Sequence, residues 1–202
     1  RPLESSDSED EGDAAPLKAV FANPYLRVAF LIGILCAVCM VLADYEMKIV
    51  ASRSMSEEVM AVWFGRFYGA MGVAAFVVQF VLVGRLLNRL GIIKCLMILP
   101  VLLAATSLAA LAVPTLLIVA LSNFLLLTLA ETLEQPAEEL LFLPLPKRLR
   151  IRAQTLVDGA LTPIGQGIGG AFLLLLAMAS LKVTQVAGII VALAGAWFVV
   201  IR

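Results

Sequence analysis

Residues 123 to 170 read NFLLLTLAETLEQPAEELLFLPLPKRLRIRAQTLVDGALTPIGQGIGG, and this stretch decides how the chain folds. An apolar helix turns acidic, a Pro-punctuated basic loop follows, and a second helix carries one Asp and several glycines. Acids within an apolar helix and bases in a short loop are typical of a membrane protein with a polar interior. The stretch therefore predicts two membrane spans joined by a cytoplasmic loop.

The composition of the whole chain agrees with a membrane location. Of 202 residues, 62% are hydrophobic and 15% are charged, which is far more apolar than a soluble domain. We therefore predict an all-α, polytopic protein of the lipid bilayer. The chain contains no His, so imidazole metal sites and His-based catalysis are excluded. With no nucleophile and base at catalytic spacing, we predict no enzymatic activity, no metal and no cofactor.

The first 24 residues differ from the rest. The first thirteen hold six acids and one base with no apolar periodicity, so this segment buries too little surface to offset chain entropy. We predict a disordered acidic tail or linker over residues 1–24 and a transmembrane domain over residues 25–202. Because the chain begins with Arg1 and not Met, we expect a fragment or a processed chain.

The apolar runs after Pro24 are each long enough to cross a hydrocarbon core, which takes roughly 20 helical residues. They divide into two three-helix repeats, over about 26–112 and 115–201. The six predicted spans cover residues 26–50, 58–84, 94–112, 115–138, 153–178 and 183–201.

The Lys and Arg residues of the short loops predict the orientation, because cytoplasmic loops are enriched in them. Three basic segments alternate with nearly uncharged or mixed loops, as a six-span count requires. Both termini should therefore be cytoplasmic. The basic residues are Arg85, Arg89 and Lys94, then Lys147, Arg148, Arg150 and Arg152, and finally Arg202.

Several charged and polar residues lie within the predicted spans. Asp44 and Lys48 are four residues apart on one helical face, so they either neutralise each other as interfacial anchors or face a cavity. Arg66 lies too deep in span two to reach water easily and is predicted to face a cavity. On span four, Asn123 lies near the middle and Glu131 in the inner third. These are candidate substrate or coupling residues.

Span five carries a polar stripe. Gln154, Asp158, Thr162 and Gln166 follow one another at four-residue spacing, which stacks them on one face of an α-helix. Such a stripe should line protein or water and not lipid. We predict a functional role for it, with hydrogen bonding between helices as the alternative.

Small residues in the chain predict packing. Gly165 and Gly169 have the small-x-x-x-small spacing that lets a neighbouring backbone approach closely. Cys36 and Cys39 form a C-x-x-C sequence in a helix that we expect to face lipid. We interpret these cysteines as packing residues, since metal or redox chemistry needs a more polar setting.

Several segments together resemble the ATP/ADP translocase family, whose members are nucleotide carriers related to the major facilitator fold. ADYEMK at 43–48 is similar to the family's D-Y-x-x-K pattern. The resemblance covers roughly residues 25 to 201. The other matching segments are WFGRFYGAMGVAAFVVQF, GRLLNRLGIIKCL, LFLPLPKRLRIRAQTLVDG and PIGQGIGG. Within the second of these, GRLLNRLGIIK also resembles the facilitator loop motif G-x-L-x-D-R-x-G-R, with Asn88 where the motif has Asp.

This resemblance implies that the six spans are helices seven to twelve of a twelve-helix carrier. The partner would then be an amino-terminal six-helix half or a second copy. It also implies that Lys48, Arg66, Glu131 and Asp158 contribute to a central charged cavity. Family members often carry Lys near the positions of Gln154 and Gln166, where this chain has neutral amides.

From these features we predict one half of a membrane carrier that moves an anionic solute, such as a nucleotide, by alternating access. Lys48 and Arg66 would attract the solute, and Glu131 and Asp158 would gate against the basic loop or couple an ion. Two alternatives stay open: a membrane anchor or scaffold for a soluble sensor domain, and a proton-coupled carrier of an unrelated solute. We expect no nucleic-acid partner.

Overall fold

A computed structural model describes residues 22–178 and 183–202, which are almost entirely helical with no β-strand among them. Six helices in this part of the chain are long and apolar enough to cross a membrane. The prediction of an all-helical, multi-pass membrane protein is confirmed. Most of the predicted acidic tail, residues 1–21, lies outside the described residues. The helices are α1 (Pro24–Ser54), α2 (Glu57–Leu90), α3 (Ile92–Ala112), α4 (Leu116–Leu141), α5 (Lys147–Leu156, Val157–Leu161 and Thr162–Met178) and α6 (Val183–Ile201).

Helices α2 and α5 extend furthest beyond the predicted spans, each by six residues at one end. Helix α5 begins at Lys147, so the basic residues expected in a loop occupy its first turns. Pro146 precedes the helix, and the Lys, Arg, Leu and Gln residues that follow all favour helix. Helix α2 likewise continues to Leu90, and Gly91 alone connects it to α3. Gly91 has a φ of 79°, a backbone conformation that favours glycine.

Wide turns interrupt three of the helices. In a π-turn, the backbone hydrogen bonds run from residue i to i+5, which breaks the ordinary α-helical periodicity and often marks a functional site. The turns cover Gln79–Val83 in α2, Ala130–Glu134 in α4 and Val157–Leu161 in α5. The sequence did not predict them. Two of them coincide with acidic positions, since they contain Glu131 and the backbone of Asp158.

Helix α1 occupies the centre of the bundle, whereas α2 lies at its edge. Helix α1 packs against α4, α5 and α6, and α6 also packs along α3. Leu42, Leu96 and Trp197 are fully buried among these helices. By contrast, no residue of the Glu57–Val78 segment of α2 is buried. The six helices therefore leave α2 without a protein neighbour over most of its surface.

Glycines bring α1 and α5 into close contact. A Cβ atom at Gly165 would lie 2.8 Å from the Cβ of Ala37, and one at Gly169 would lie 3.0 Å from the Cβ of Val41. The packing role predicted from the spacing of these two glycines is confirmed. The expectation that the helix with Cys36 and Cys39 faces lipid is wrong, because both cysteines are buried in the bundle.

Candidate functional site

A cavity of about 380 Å³ opens between α1, α4 and α5. Helix α4 contributes Glu131, Glu134 and Glu138, and α5 contributes Thr162 and Gln166. The described residues that line it include no Lys or Arg. We refer to it as the acidic cavity. The opposite wall is formed by α1, through Gly33, Cys36, Ala37 and Met40.

The three glutamates line one wall of the cavity. Glu131 and Glu134 lie in the wide turn Ala130–Glu134, and Glu138 follows Glu134 by four residues, about one α-helical turn further along α4. Like charges at such separations repel one another when all are ionised. The wall therefore favours protons, a cation or another positive group close to the carboxylates.

Glu134 is the most enclosed of these acids. Its residue is only 3% exposed. The Cys36 thiol donates a hydrogen bond to Glu134 Oε2 over 3.2 Å, but Oε1 accepts none from any described residue. A thiol is a weak donor, and a buried carboxylate without a positive partner costs several kcal/mol, on the order of the desolvation of one ion. The described residues thus compensate the buried Glu134 carboxylate only in part.

The predicted polar stripe of α5 is divided between two places. Thr162 and Gln166 line the acidic cavity together with Glu131. Gln154 instead lines a neighbouring pocket with Glu139 and Arg150. The wide turn at Val157–Leu161 separates the two groups, because its i to i+5 bonding breaks the four-residue register. The side chain of Asp158, the remaining member of the stripe, lies outside the described residues.

Asp44 and Lys48 form a second charged group with Tyr68, which we call the outer charged cluster. Lys48 Nζ forms an ion pair with Asp44 Oδ2, and the Tyr68 hydroxyl donates to Asp44 Oδ1 over 3.1 Å. The ion pair is open to its surroundings, since the Lys48 side chain is 57% exposed. The two charges neutralise each other, which is one of the two alternatives that their spacing left open, and the hydrogen bond from Tyr68 connects the pair to α2.

Arg66 does not join this cluster. It precedes Tyr68 by two residues, so it lies about 200° around α2 from the side that meets α1. The side chain is exposed and makes no ion pair within the described part of the chain. The structure therefore separates Arg66 from Lys48, the other cation predicted to hold the solute.

Asn123 lies in neither group. It is fully buried on α4, away from the acidic cavity, and neither its amide nitrogen nor its amide oxygen has a hydrogen-bond partner among the described residues. The structure thus places this predicted site residue inside the helix packing.

Among the polar residues that line the cavity, sequence reasoning did not select Cys36, Glu134, Gln135 and Glu138 as site residues. The two glutamates carried a signal, because they lie at helical spacing from Glu131. Cys36 carried none, since its partner Glu134 is 98 residues away in the chain.

Comparison of the chain with protein-family models, with curated proteins and with solved structures gives no match. The resemblance to the ATP/ADP translocase family therefore stays a prediction based on its sequence motifs.

Proposed function

We propose that this chain is one six-helix half of a membrane carrier that moves an anionic solute, such as a nucleotide, by alternating access. The observation that carries the proposal is Arg66, an exposed cation on a membrane helix that has no ion-pair partner among the described residues. With α2 centred on the bilayer, Arg66 lies about 11 Å from the midplane, inside a hydrocarbon core that extends about 15 Å to each side. A charge facing lipid at that depth is costly, so it faces water or a protein partner.

The surroundings of Arg66 support a partner on this side of the bundle. No residue of the Glu57–Val78 segment is buried, so most of α2 is left for lipid or another chain. A second six-helix unit, either an amino-terminal half or a second copy, would enclose Arg66 in a shared aqueous pathway. The guanidinium group suits phosphate or carboxylate ligands, because it offers several donors in a fixed plane.

The outer charged cluster supports a pathway on the same flank. With α1 centred on the bilayer, Asp44 lies about 8 Å from the midplane, where its charge also needs water or protein. Lys48 already binds Asp44, so it offers a solute only part of its charge. In this proposal Arg66 contributes more to anion binding than Lys48.

Orientation is a further part of the proposal. The Arg and Lys residues near Leu90, at the start of α5 and at Arg202 fall at one end of an alternating six-helix bundle. We propose that this end and both termini are cytoplasmic.

Uptake by vesicles containing the full-length protein tests the function. Radiolabelled ATP and ADP should enter saturably, and Arg66→Ala should lower the uptake by about tenfold or more, the value of one hydrogen bond to a charged group. Arg66→Lys should retain part of it. Arg85→Ala is the matched control, because Arg85 is an exposed arginine near the end of the same helix. Absence of saturable uptake, or equal losses in Arg66→Ala and Arg85→Ala, would refute the proposal.

A further inference from the structure

The acidic cavity differs from the Arg66 flank in charge, and its ligand must differ accordingly. Glu131, Glu134 and Glu138 line one wall, and the described lining contains no Lys or Arg. An anionic solute would meet repulsion from these carboxylates. The cavity therefore fits a cation, and it is a separate site from the proposed anion pathway.

Glu134 gives an independent reason to expect a ligand. Its Oε1 atom is buried and accepts no hydrogen bond from a described residue, while Oε2 is held by the Cys36 thiol. Buried polar atoms in native proteins nearly always have a partner. A positively charged group in the cavity would supply the missing charge.

The size of the cavity argues against a bare inorganic ion. Its volume of about 380 Å³ equals that of roughly a dozen water molecules in the liquid, and it falls in the range of small-molecule sites. Ala37, Met40 and Val157 line the cavity with apolar groups. A ligand with one positive head and an apolar body could place the head near the glutamates and pack the body against the apolar side chains.

We propose that the acidic cavity binds a small organic cation of the ammonium class, with its positive head beside Glu131 and Glu134 and its apolar body against Ala37 and Met40. Gly33 leaves the room for it, since a Cβ atom there would stand 3.9 Å from Glu138 Oε1. Larger side chains at this position would project into the ligand's space. The site does not depend on which solute the carrier moves.

Equilibrium binding of radiolabelled benzylammonium to the purified full-length protein tests this site. Binding should be saturable, and unlabelled benzyl alcohol, which has the same shape without the charge, should not compete. Glu134→Gln should weaken binding at least tenfold. Glu139→Gln should leave it within twofold, because Glu139 is one residue beyond Glu138 on α4 but does not line the acidic cavity.

A second variant separates binding from folding. Gly33→Leu fills the cavity while keeping all three glutamates, and it should also weaken binding at least tenfold. Size-exclusion profiles identify any variant that fails to fold. If one of the two variants does not fold, benzylammonium binding by the other one tests the site. The proposal is overturned by an absence of saturable benzylammonium binding, by equal competition from benzyl alcohol, by equal losses in Glu134→Gln and Glu139→Gln, or by binding of sodium ions alone. Nucleotide uptake is measured separately, so either proposal can fail without the other.

Discussion

The acidic cavity and the outer charged cluster both contain charged residues of membrane helices. The two regions differ in whether those charges have partners of opposite charge. In the cavity, Glu134 is buried, Glu138 is half-buried and Glu131 is exposed, and the described lining contains no Lys or Arg. In the outer cluster, Asp44 is paired with Lys48 and Tyr68 and remains open. Helix α1 contributes to both regions. One helix can thus line an acidic cavity on one face and carry a neutralised ion pair further along.

The packing around the two regions explains the contrast. Close contact between α1 and α5, made possible by Gly165 and Gly169, encloses one side of the acidic cavity. Helix α2 packs loosely beside the outer cluster and has no buried residue over Glu57–Val78. Enclosure raises the cost of an unpaired charge, whereas exposure to water lowers it.

The largest expected effect comes from separating α1 and α5. A side chain at Gly165 meets Ala37 Cβ and the Ile34 backbone, neither of which can move aside easily. Gly165→Leu should therefore lower the free energy of unfolding by about 3 kcal/mol or more. Gly167→Leu is the control, since nothing lies within 4 Å of a Cβ atom at that position. Thermal unfolding in detergent measures both, and equal stability of the two variants would contradict the close packing described here.

An intermediate effect is expected for access to Arg66. A water-soluble thiol reagent attacks the thiolate, which forms in water and not in lipid. In a membrane-embedded sample, Arg66→Cys should react at least about tenfold faster than Leu108→Cys, because a charged side chain needs water or protein around it. Leu108 is the comparison because it is an exposed apolar residue on another helix, α3.

The native cysteines make this labelling experiment simple to interpret. Cys36, Cys39 and Cys95 are buried, so the unmodified protein should react slowly. Equally slow labelling of Arg66→Cys and Leu108→Cys would show that both positions face lipid, and would remove the main support for an aqueous pathway.

The smallest expected effect concerns the outer charged cluster. Asp44→Asn removes the ion pair with Lys48 and keeps an oxygen that can accept from Tyr68. Exposed ion pairs contribute about 0–1 kcal/mol, so the free energy of unfolding should fall by about 1 kcal/mol or less. A loss of several kcal/mol would mean that the pair is shielded from water, and the contrast with the acidic cavity would disappear. Denaturant titration in detergent provides the measurement.

The sequence predicted the span count well because length and apolar composition determine whether a helix can cross a bilayer. The helix ends were less accurate, since Lys147 to Arg152 are basic and yet continue α5. The polar stripe from Gln154 to Gln166 was predicted from ideal α-helical spacing, and the wide turn at Val157–Leu161 divides it. Hydrophobicity does not reveal such a turn, because its cause is a shift in backbone hydrogen bonding.

The sequence by itself determined the properties that depend on local spacing and composition: six apolar helices, the Asp44–Lys48 pair and the glycine face of α5. Only the tertiary structure decided which of these faces meet. Cys36 hydrogen-bonds to Glu134, which is 98 residues away in the chain, and three glutamates line one cavity. Arg66 lies on a different side of α2 from the side that contacts Asp44, the partner of Lys48. The physical reason is that the cost of a charge in a membrane depends on the atoms around it, and those atoms come from helices far apart in the chain.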